Sequence, residues 1–89
     1  GLLDEDKDTE DWIELWNRGG VVVNLEGWSL TDDARFPGQW RFPSVLLQPD
    51  QRLLVFASGK DRRGSQLHTN FKLAKGGKDI AAYIASVAQ

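Results

Sequence analysis

The amino-acid sequence predicts an all-β domain, folded as an antiparallel sandwich or barrel. Short segments with the alternation typical of strands are separated by turn residues about every 8 to 12 positions. No segment shows a convincing helical period, and the C-terminal AAYIASVAQ comes nearest to one. With 89 residues, the chain can form one small domain. We therefore expect a single domain of strands, with a strand rather than a helix near its C-terminus.

The first three predicted strands follow an acidic N-terminal segment. Residues 12–16 (WIELW) alternate between two faces that are both partly apolar. The turn at 17–20 contains two glycines, which adopt positive φ at little steric cost. Residues 21–25 are rich in β-branched side chains and are followed by a glutamate and a glycine. Residues 28–31 then form another short extended segment.

The later predicted strands lie between polar loops. Residues 40–42 resume the alternation until Pro43 interrupts it. Residues 52–57 (RLLVFA) form the most apolar run, which predicts burial on both faces. Residues 67–73 alternate again, and 80–85 form the last predicted strand. Proline, glycine and polar residues predict the intervening loops, at 32–39, 49–50, 58–66 and 74–79.

Composition excludes several classes of function. The chain has no cysteine, so it has neither disulfides nor thiolate metal sites. A net charge of −2 and a pI near 5.2 argue against a general binder of nucleic acid or anionic membranes. No run of 18 apolar residues occurs, so no membrane insertion is expected. Because the sequence begins at Gly1 and contains no methionine, we expect it to be a fragment of a longer protein.

Several motifs together carry a family resemblance. The segments DWIELWNRGG, VVNLEGWSLTDD, WRFP, QRLLVFASGKD and LHTNFKLAKGG resemble, in this order, the motifs of the lamin tail domain family, in particular its bacterial branch. The resemblance covers roughly residues 11–83. It implies an immunoglobulin-like antiparallel β-sandwich that acts as an interaction module. In bacteria it further implies a large exported protein, at the cell envelope or outside the cell.

The resemblance also sets expectations for the boundaries of the domain. We expect an acidic leader or linker at 1–11, the sandwich at 12–85 and a short tail at 86–89. Family members usually carry one more strand ahead of the acidic segment and another after the tyrosine-containing strand. A sandwich without its first and last strands would leave sheet edges unpaired, which predicts homo-oligomers through those edges.

The acidic segment offers a metal-binding hypothesis. Asp4, Asp6, Asp8 and Glu10 occupy alternate positions, and carboxylates at this spacing can converge on Ca²⁺. The EF-hand pattern is not met, because it requires a glycine and a glutamate where this chain has other residues. A solvated linker is the favoured interpretation, with a looser Ca²⁺ site as the alternative and no other cofactor.

Apolar and aromatic positions define the expected core. Trp28 is assigned to the core through its family motif, and Ala substitution there should cost about 3 to 5 kcal/mol. The remaining predicted core residues are Leu30, Phe42, Leu54, Phe56, Phe71 and Leu73.

Two other groups of side chains are candidates for binding a partner. Trp12 and Trp16 share one strand face, where they either pack under a neighbouring segment or form an aromatic platform for a sugar or peptide. Lys60, Arg62 and Arg63 form a basic cluster that is either a solvated loop or a grip for a phosphate or an acidic partner.

The sequence does not predict an enzyme. His68 is the single histidine, and no Ser-His-Asp pattern or carboxylate pair accompanies it in the sequence. We therefore expect a non-catalytic module that binds a protein or cell-surface polymer, or spaces domains in a larger protein. A carbohydrate-binding or Ca²⁺-assisted adhesion module is the alternative.

Overall fold

The computed structural model describes residues 1–73 and the backbone of residues 84–86. The regular elements of this part of the chain are all β-strands. No helix in the described residues is long and apolar enough to span a membrane. The strands are β1 (Leu2–Leu3), β2 (Thr9–Glu10), β3 (Trp12–Trp16), β4 (Val23–Asn24), β5 (Ser29–Leu30), β6 (Trp40–Arg41), β7 (Leu46–Leu47), β8 (Arg52–Phe56), β9 (Arg62–Arg63), β10 (Leu67–His68) and β11 (Ile84–Ser86).

The strands form two main sheets and two short ribbons. One sheet has the order β3-β8-β10-β9, and the other has the order β11-β5-β6. β1 pairs with β2 and β4 pairs with β7, each as a two-stranded ribbon. This arrangement confirms the predicted all-β class and is consistent with an immunoglobulin-like sandwich.

One strand pair departs from the predicted antiparallel pattern. β10 is parallel to β8, with Leu67 opposite Val55. The loop expected at 58–66 contains β9, which lies at the edge of the sheet and pairs antiparallel with β10. After β8, the chain therefore forms β9 at the edge of the sheet and then returns as β10 between β8 and β9. A two-residue strand such as β9 is too short to give a period in the sequence.

The core lies between the inward faces of these sheets. On β3, Ile13 and Leu15 face inward, opposite Val55 and Leu53 of β8. Trp40 is fully buried and is the largest such side chain in the described residues. The buried core cluster comprises Ile13, Leu15, Leu25, Leu30, Trp40, Phe42, Leu47, Val55, Ala57, Leu67 and Phe71.

The structure changes the role that the sequence assigned to Trp28. Its side chain is only half-buried and packs against the edge of the core cluster. Gly27, with φ of 88°, forms the turn ahead of it, and the Trp28 amide donates to the Leu25 carbonyl at 2.8 Å. Trp40 takes the interior position instead. Among the other predicted core residues, four are buried and two are half-buried: Leu30, Phe42, Phe56 and Phe71, then Leu54 and Leu73.

The acidic N-terminal segment is folded, whereas the sequence predicted a solvated leader. β1 and β2 pair with Leu2 opposite Glu10, and Asp4 is 5% exposed. The Asp4 carboxylate accepts hydrogen bonds from the backbone amides of Asp6 and Asp8, at 2.9 and 3.0 Å. We call residues 1–10 the acidic hairpin. Basic side chains from a distant part of the chain offset its charge, which local composition does not reveal.

The C-terminal predictions lie mostly outside the described residues. The glycine turn expected at 74–79, the first part of the strand expected at 80–85 and most of the tail expected at 86–89 belong to this group. The described part, β11, pairs antiparallel with β5 and contains a register shift.

Candidate functional site

An apolar cleft of about 200 Å³ lies beside the C-terminal half of β3. Leu15, Leu25 and Leu47, which belong to the core, line its floor. Its remaining walls come from Glu14, Trp16, Asn17, Arg18, Val23 and Trp28. We call this feature the Trp16 cleft.

The Trp16 cleft is located at the edge of β3 rather than on either face of the sheet. Leu15 points into the core, whereas Glu14 and Trp16 lie on the opposite, outward face. Residues of both faces line the same space, so the cleft opens along the lateral edge of β3. In the described residues, β3 pairs with β8 on one side only.

Trp16 is exposed, yet its ring is held in place. The side chain is among the exposed large apolar groups, with 43% relative exposure. Its indole N–H donates to Asp50 Oδ1 at 3.0 Å. The guanidinium groups of Arg52 and Arg18 lie over the ring, 4.1 and 5.2 Å from its centroid. An aromatic ring held by a hydrogen bond and two cation–π contacts loses little freedom when a partner binds.

Trp12, the other tryptophan on this face, exposes less of its side chain than Trp16. Trp12 shares the outward face of β3 but is half-buried. Glu14 lies between the two indoles on the strand and forms an ion pair with Arg52 at 2.9 Å. The outward face therefore alternates between aromatic and charged groups.

Asn17 organises the end of the cleft, and the sequence did not single it out. Its buried side-chain amide donates to the carbonyls of Val21 and Leu47, at 2.8 and 2.9 Å. Its Oδ1 accepts from the Gly19 amide at 2.9 Å, which shapes the turn after β3. Arg18, on the same turn, was also missed. The sequence does show a polar residue, Asn17, directly after an alternating strand. It does not show the long-range partners of that residue.

The predicted metal ligands converge on an internal cation. Lys60 Nζ lies 2.5, 2.9 and 2.8 Å from carboxylate oxygens of Asp4, Asp6 and Asp8. Glu10 approaches the same ammonium at 3.9 Å. Ligand atoms of Asp4, Asp8 and Glu10 lie within 4.8 Å of one another, a spacing that could hold a metal ion. A calcium ion at this position would have to displace the ammonium of Lys60.

The basic cluster predicted for partner binding makes its contacts within the protein. Arg62 forms ion pairs with Glu5 at 3.4 Å and with Asp6 at 2.8 Å. Arg63 pairs with Asp61 at 2.8 Å, and its guanidinium lies over the Trp40 ring, 4.6 Å from the centroid. Together with Lys60, these side chains connect residues 60–63, which include β9, to the acidic hairpin and to β6. Their charge is therefore largely compensated internally.

Comparison with protein families identifies the fold family. The family model of the lamin tail domain matches residues 2–86, a range that includes both strands of the acidic hairpin. The chain belongs to the lamin tail domain family. Lamin tail domains are immunoglobulin-like, non-enzymatic interaction modules. Comparisons with curated proteins and with solved structures gave no significant match.

His68 of this lamin tail domain sits in a buried hydrogen-bond chain that the sequence did not reveal. The imidazole is fully buried and stacks on Phe56, with the centroids 5.2 Å apart. Its Nδ1 is hydrogen-bonded to Ser58 Oγ at 2.8 Å and its Nε2 to Glu5 Oε1 at 2.7 Å. Ser58 is only 4% exposed, and its Oγ also accepts the Lys60 amide. These hydrogen bonds therefore connect the acidic hairpin to β10, and Ser58 is buried among them rather than exposed to a substrate.

The hairpin ion pairs shift the pKa values of their groups. Hydrogen bonds from Arg62 and then Lys60 lower the pKa of Asp6 from 3.8 to about 2. Burial raises the pKa of Asp4, but hydrogen bonds from Lys60 and from the amides of Asp8 and Asp6 outweigh it, so the net pKa is lowered. Hydrogen bonds to Asp4 and Asp8 raise the pKa of Lys60. Each shift favours the charged form of its group.

Acid is expected to destabilise this lamin tail domain. A carboxylate with a lowered folded-state pKa contributes stability above its ordinary pKa, and this is lost as the pH falls through the folded value. For Asp6 this loss of stability is expected as the pH falls from 3.8 to about 2. Thermal unfolding recorded in steps across this window should show a falling Tm. An Asp6→Asn variant should show a shallower fall, and equal slopes for the two proteins would contradict this assignment.

Proposed function

We propose that this lamin tail domain binds a protein partner at the Trp16 cleft. The observation that carries the proposal is the exposed, immobilised indole of Trp16 beside an apolar space with a floor of core leucines. Tryptophan and arginine are the side chains most enriched among residues that dominate binding energy. Here both types stand together at the rim of one cleft.

The surroundings of the cleft support a contact larger than one side chain. Val21, Val22 and Leu46 are exposed by 71%, 47% and 57%. Val21 and Val22 lead directly into β4, whose Val23 lines the cleft, and Leu46 lies on the paired strand β7. Exposed apolar side chains concentrated beside a cleft are typical of interaction surfaces. A partner that covers Trp16 would reach these residues as well.

The wider context belongs to the same proposal. Following the resemblance to the bacterial branch, we place the domain in an exported bacterial protein, outside the cell or at the cell envelope. There it would bind a protein or a cell-surface polymer, or space neighbouring domains. The charges of Lys60, Arg62 and Arg63 are engaged internally, which favours the cleft over the basic cluster as the contact point.

A carbohydrate ligand is the second candidate, because an exposed indole can stack on the apolar face of a sugar ring. Trp16 is the side chain on which such stacking would occur. Ca²⁺-assisted adhesion has less support, since Lys60 already occupies the centre of the carboxylate cluster. Calcium that raises the Tm of the domain would favour the adhesion alternative.

Peptide display against the immobilised domain tests the proposal. Peptides selected from a random library should shift the backbone amide resonances of Glu14, Arg18 and Val23. A Trp16→Ala variant should bind them about 30-fold more weakly, the effect typical of a dominant interface residue. The Tm of this variant should fall by less than that of a Trp40→Ala variant, because Trp16 is 43% exposed whereas Trp40 is fully buried.

Phe36→Ala provides the matched control. Phe36 is also an exposed aromatic residue, at 60%, but lies in the loop between β5 and β6, outside the cleft. Its substitution should leave peptide affinity unchanged. Equal losses for the two variants would contradict the proposal, and a response to soluble glycans but to no peptide would favour the carbohydrate alternative.

A further inference from the structure

We infer that Asp50 is a positioning residue for the Trp16 cleft: its backbone keeps a left-handed conformation so that its carboxylate holds the Trp16 indole ready for an apolar side chain of the partner. This inference rests on the proposed function and names the contact that the partner makes. Three features carry it: an arrangement that occurs twice in the chain, the backbone of Asp50, and the exposure of Trp16.

Asp50 and Arg52 together hold the Trp16 indole. Asp50 has a positive φ of 65°. Its Oδ1 accepts the indole N–H at 3.0 Å, and the Arg52 guanidinium lies over the ring, 4.1 Å from the centroid. Both side chains come from one short segment, because Arg52 is the second residue after Asp50. We call this arrangement, a left-handed aspartate and the following arginine on one tryptophan, an indole clamp.

A second indole clamp with the same spacing holds Trp40. Asp61 has a φ of 52°, and its Oδ1 accepts the Trp40 indole N–H at 3.1 Å. Arg63, again the second residue after the aspartate, lies 4.6 Å from the ring centroid. Trp40 is fully buried, and a buried N–H without an acceptor lowers stability. The second clamp therefore has a role in stability.

The left-handed conformation is unfavourable for Asp50 compared with glycine. Side chains crowd the backbone at positive φ, whereas glycine adopts it at little steric cost. The turn itself does not depend on the carboxylate. The Asp50 amide donates to the Asn17 carbonyl at 2.7 Å, and the Gln51 amide donates to the Gln48 carbonyl at 3.0 Å. A glycine at position 50 would keep these bonds and lose the hydrogen bond to Trp16.

Stability gives little reason to retain the clamp at Trp16. This side chain is 43% exposed, and an exposed indole N–H can bond to water in place of Asp50. Strained residues that persist without a gain in stability concentrate at binding and catalytic sites. A ring that is held before the partner arrives loses less conformational entropy on binding. The clamp at Trp16 therefore serves binding.

The clamp also determines which contacts Trp16 offers to a partner. The N–H is the only polar group of the side chain, and Asp50 already engages it. What remains is apolar ring surface beside the floor of Leu15, Leu25 and Leu47. The partner residue that meets Trp16 is therefore an aliphatic or aromatic side chain rather than a hydrogen-bond acceptor.

An Asp50→Gly variant tests the inference. The probe is the display-selected peptide that binds the parent domain most tightly, and its affinity is measured by amide resonance titration. The affinity should fall about tenfold, because the indole is no longer held. The Tm should equal or exceed that of the parent, because glycine relieves the strain at position 50. Replacing a residue with a structural role alone would instead lower the Tm.

The Trp16 indole N–H resonance reports on the clamp without any ligand. In Asp50→Gly its exchange with water should be faster, and its order parameter lower, than in the parent. Asp50→Asn is the conservative variant, because its side-chain Oδ1 also accepts a hydrogen bond and asparagine tolerates positive φ. It should restore most of the peptide affinity and the slower exchange.

Asp61→Gly is the matched control, because it makes the same change in the second clamp. Its Tm should fall clearly, since the buried Trp40 N–H loses its acceptor. Its peptide affinity, measured at a temperature where the variant is folded, should equal that of the parent. A scan of the peptide with asparagine tests the chemistry of the contact, and the largest loss of affinity should occur at an apolar residue.

The outcomes separate this inference from the proposed function. Parent-like affinity of Asp50→Gly would overturn the inference, as would a failure of Asp50→Asn to restore binding or a fall in Tm as large as that of Asp61→Gly. A polar peptide residue with the largest effect would overturn the apolar contact. In these cases Trp16→Ala still weakens binding, and the proposed function stands. Binding that Trp16→Ala leaves unchanged, or the absence of any selected peptide, would reject both.

Discussion

Replacing Trp40 with alanine is expected to lower the free energy of unfolding by about 3 to 5 kcal/mol, as removal of a large buried side chain typically does. The indole is fully buried and contacts Phe42 edge-to-face, with the centroids 5.0 Å apart. Its N–H donates to Asp61 Oδ1 at 3.1 Å, and Arg63 covers the ring. The substitution therefore leaves a cavity and removes one of the two hydrogen bonds that Asp61 Oδ1 accepts, the other coming from Arg63. For a small domain this is a large part of the total stability.

Trp28→Ala is the matched control for Trp40→Ala. Both variants lose one tryptophan, but Trp28 is half-buried and should cost clearly less. Unfolding in urea is followed by circular dichroism, because both variants lack a tryptophan that would contribute to the fluorescence signal. If Trp40→Ala does not fold, Trp40→Phe retains most of the ring and should give a measurable, smaller loss. A larger loss for Trp28→Ala than for Trp40→Ala would contradict the assignment of the core.

Replacing Lys60 with methionine is expected to detach the acidic hairpin. The substitution keeps the aliphatic stem but removes the ammonium that four carboxylates approach. One of these, Asp4, is buried, and a buried charge without its partner is strongly destabilising. We expect a marked fall in Tm, and faster hydrogen exchange at the Asp4 and Lys7 amides, which are bonded within the hairpin. The pKa of Asp6 should also rise, because one of its two cationic partners is lost.

Arg35→Met controls for the removal of a paired cation. Arg35 bonds Asp33 at 2.7 Å, but its side chain is 81% exposed, and exposed ion pairs contribute little to stability. This variant should melt close to the parent. Adding Asp8→Asn to Lys60→Met should recover part of the lost stability by removing one repelling charge. Equal Tm values for Lys60→Met and Arg35→Met would show that the hairpin is held by other contacts.

Local sequence patterns predicted the two long strands and the short strands β4, β5, β6 and β10, but missed the short strands β1, β2, β7 and β9. Residues 12–16 and 52–56 form strands because alternation and a continuous apolar run are visible over five residues. β7 and β9 contain two residues each, too few to show a period. Their positions depend on partners elsewhere in the chain. The all-β class could therefore be predicted, whereas the parallel β8–β10 pair could not.

The candidate site depended on information that composition does not contain. The sequence placed Trp12 and Trp16 on one face, and they do share it. It could not show that Val23, Trp28 and Leu47 meet beside Trp16 to form one cleft, since this depends on pairings between distant segments. Nor could a local motif decide that Trp40, rather than Trp28, occupies the interior.

The same limit explains the acidic hairpin. Asp4 and Lys60 are 56 positions apart, and Glu5 and His68 are 63 apart. A window of eleven residues rich in carboxylates contains no sign of these partners. Charge patterning favours solvation only when no distant counter-ion is available.

The contacts of Lys60 and His68 have a mechanical consequence. Tension transmitted through Gly1 would reach the acidic hairpin before β3. The hairpin is fastened to residues 60–68 by ion pairs and by the hydrogen bond between Glu5 and His68. These contacts would have to rupture together before β3 could be peeled from β8. The chain has no cysteine, so these ion pairs and this hydrogen bond, rather than a disulfide, resist the tension. Dissolved salt would weaken the exposed ion pairs among them.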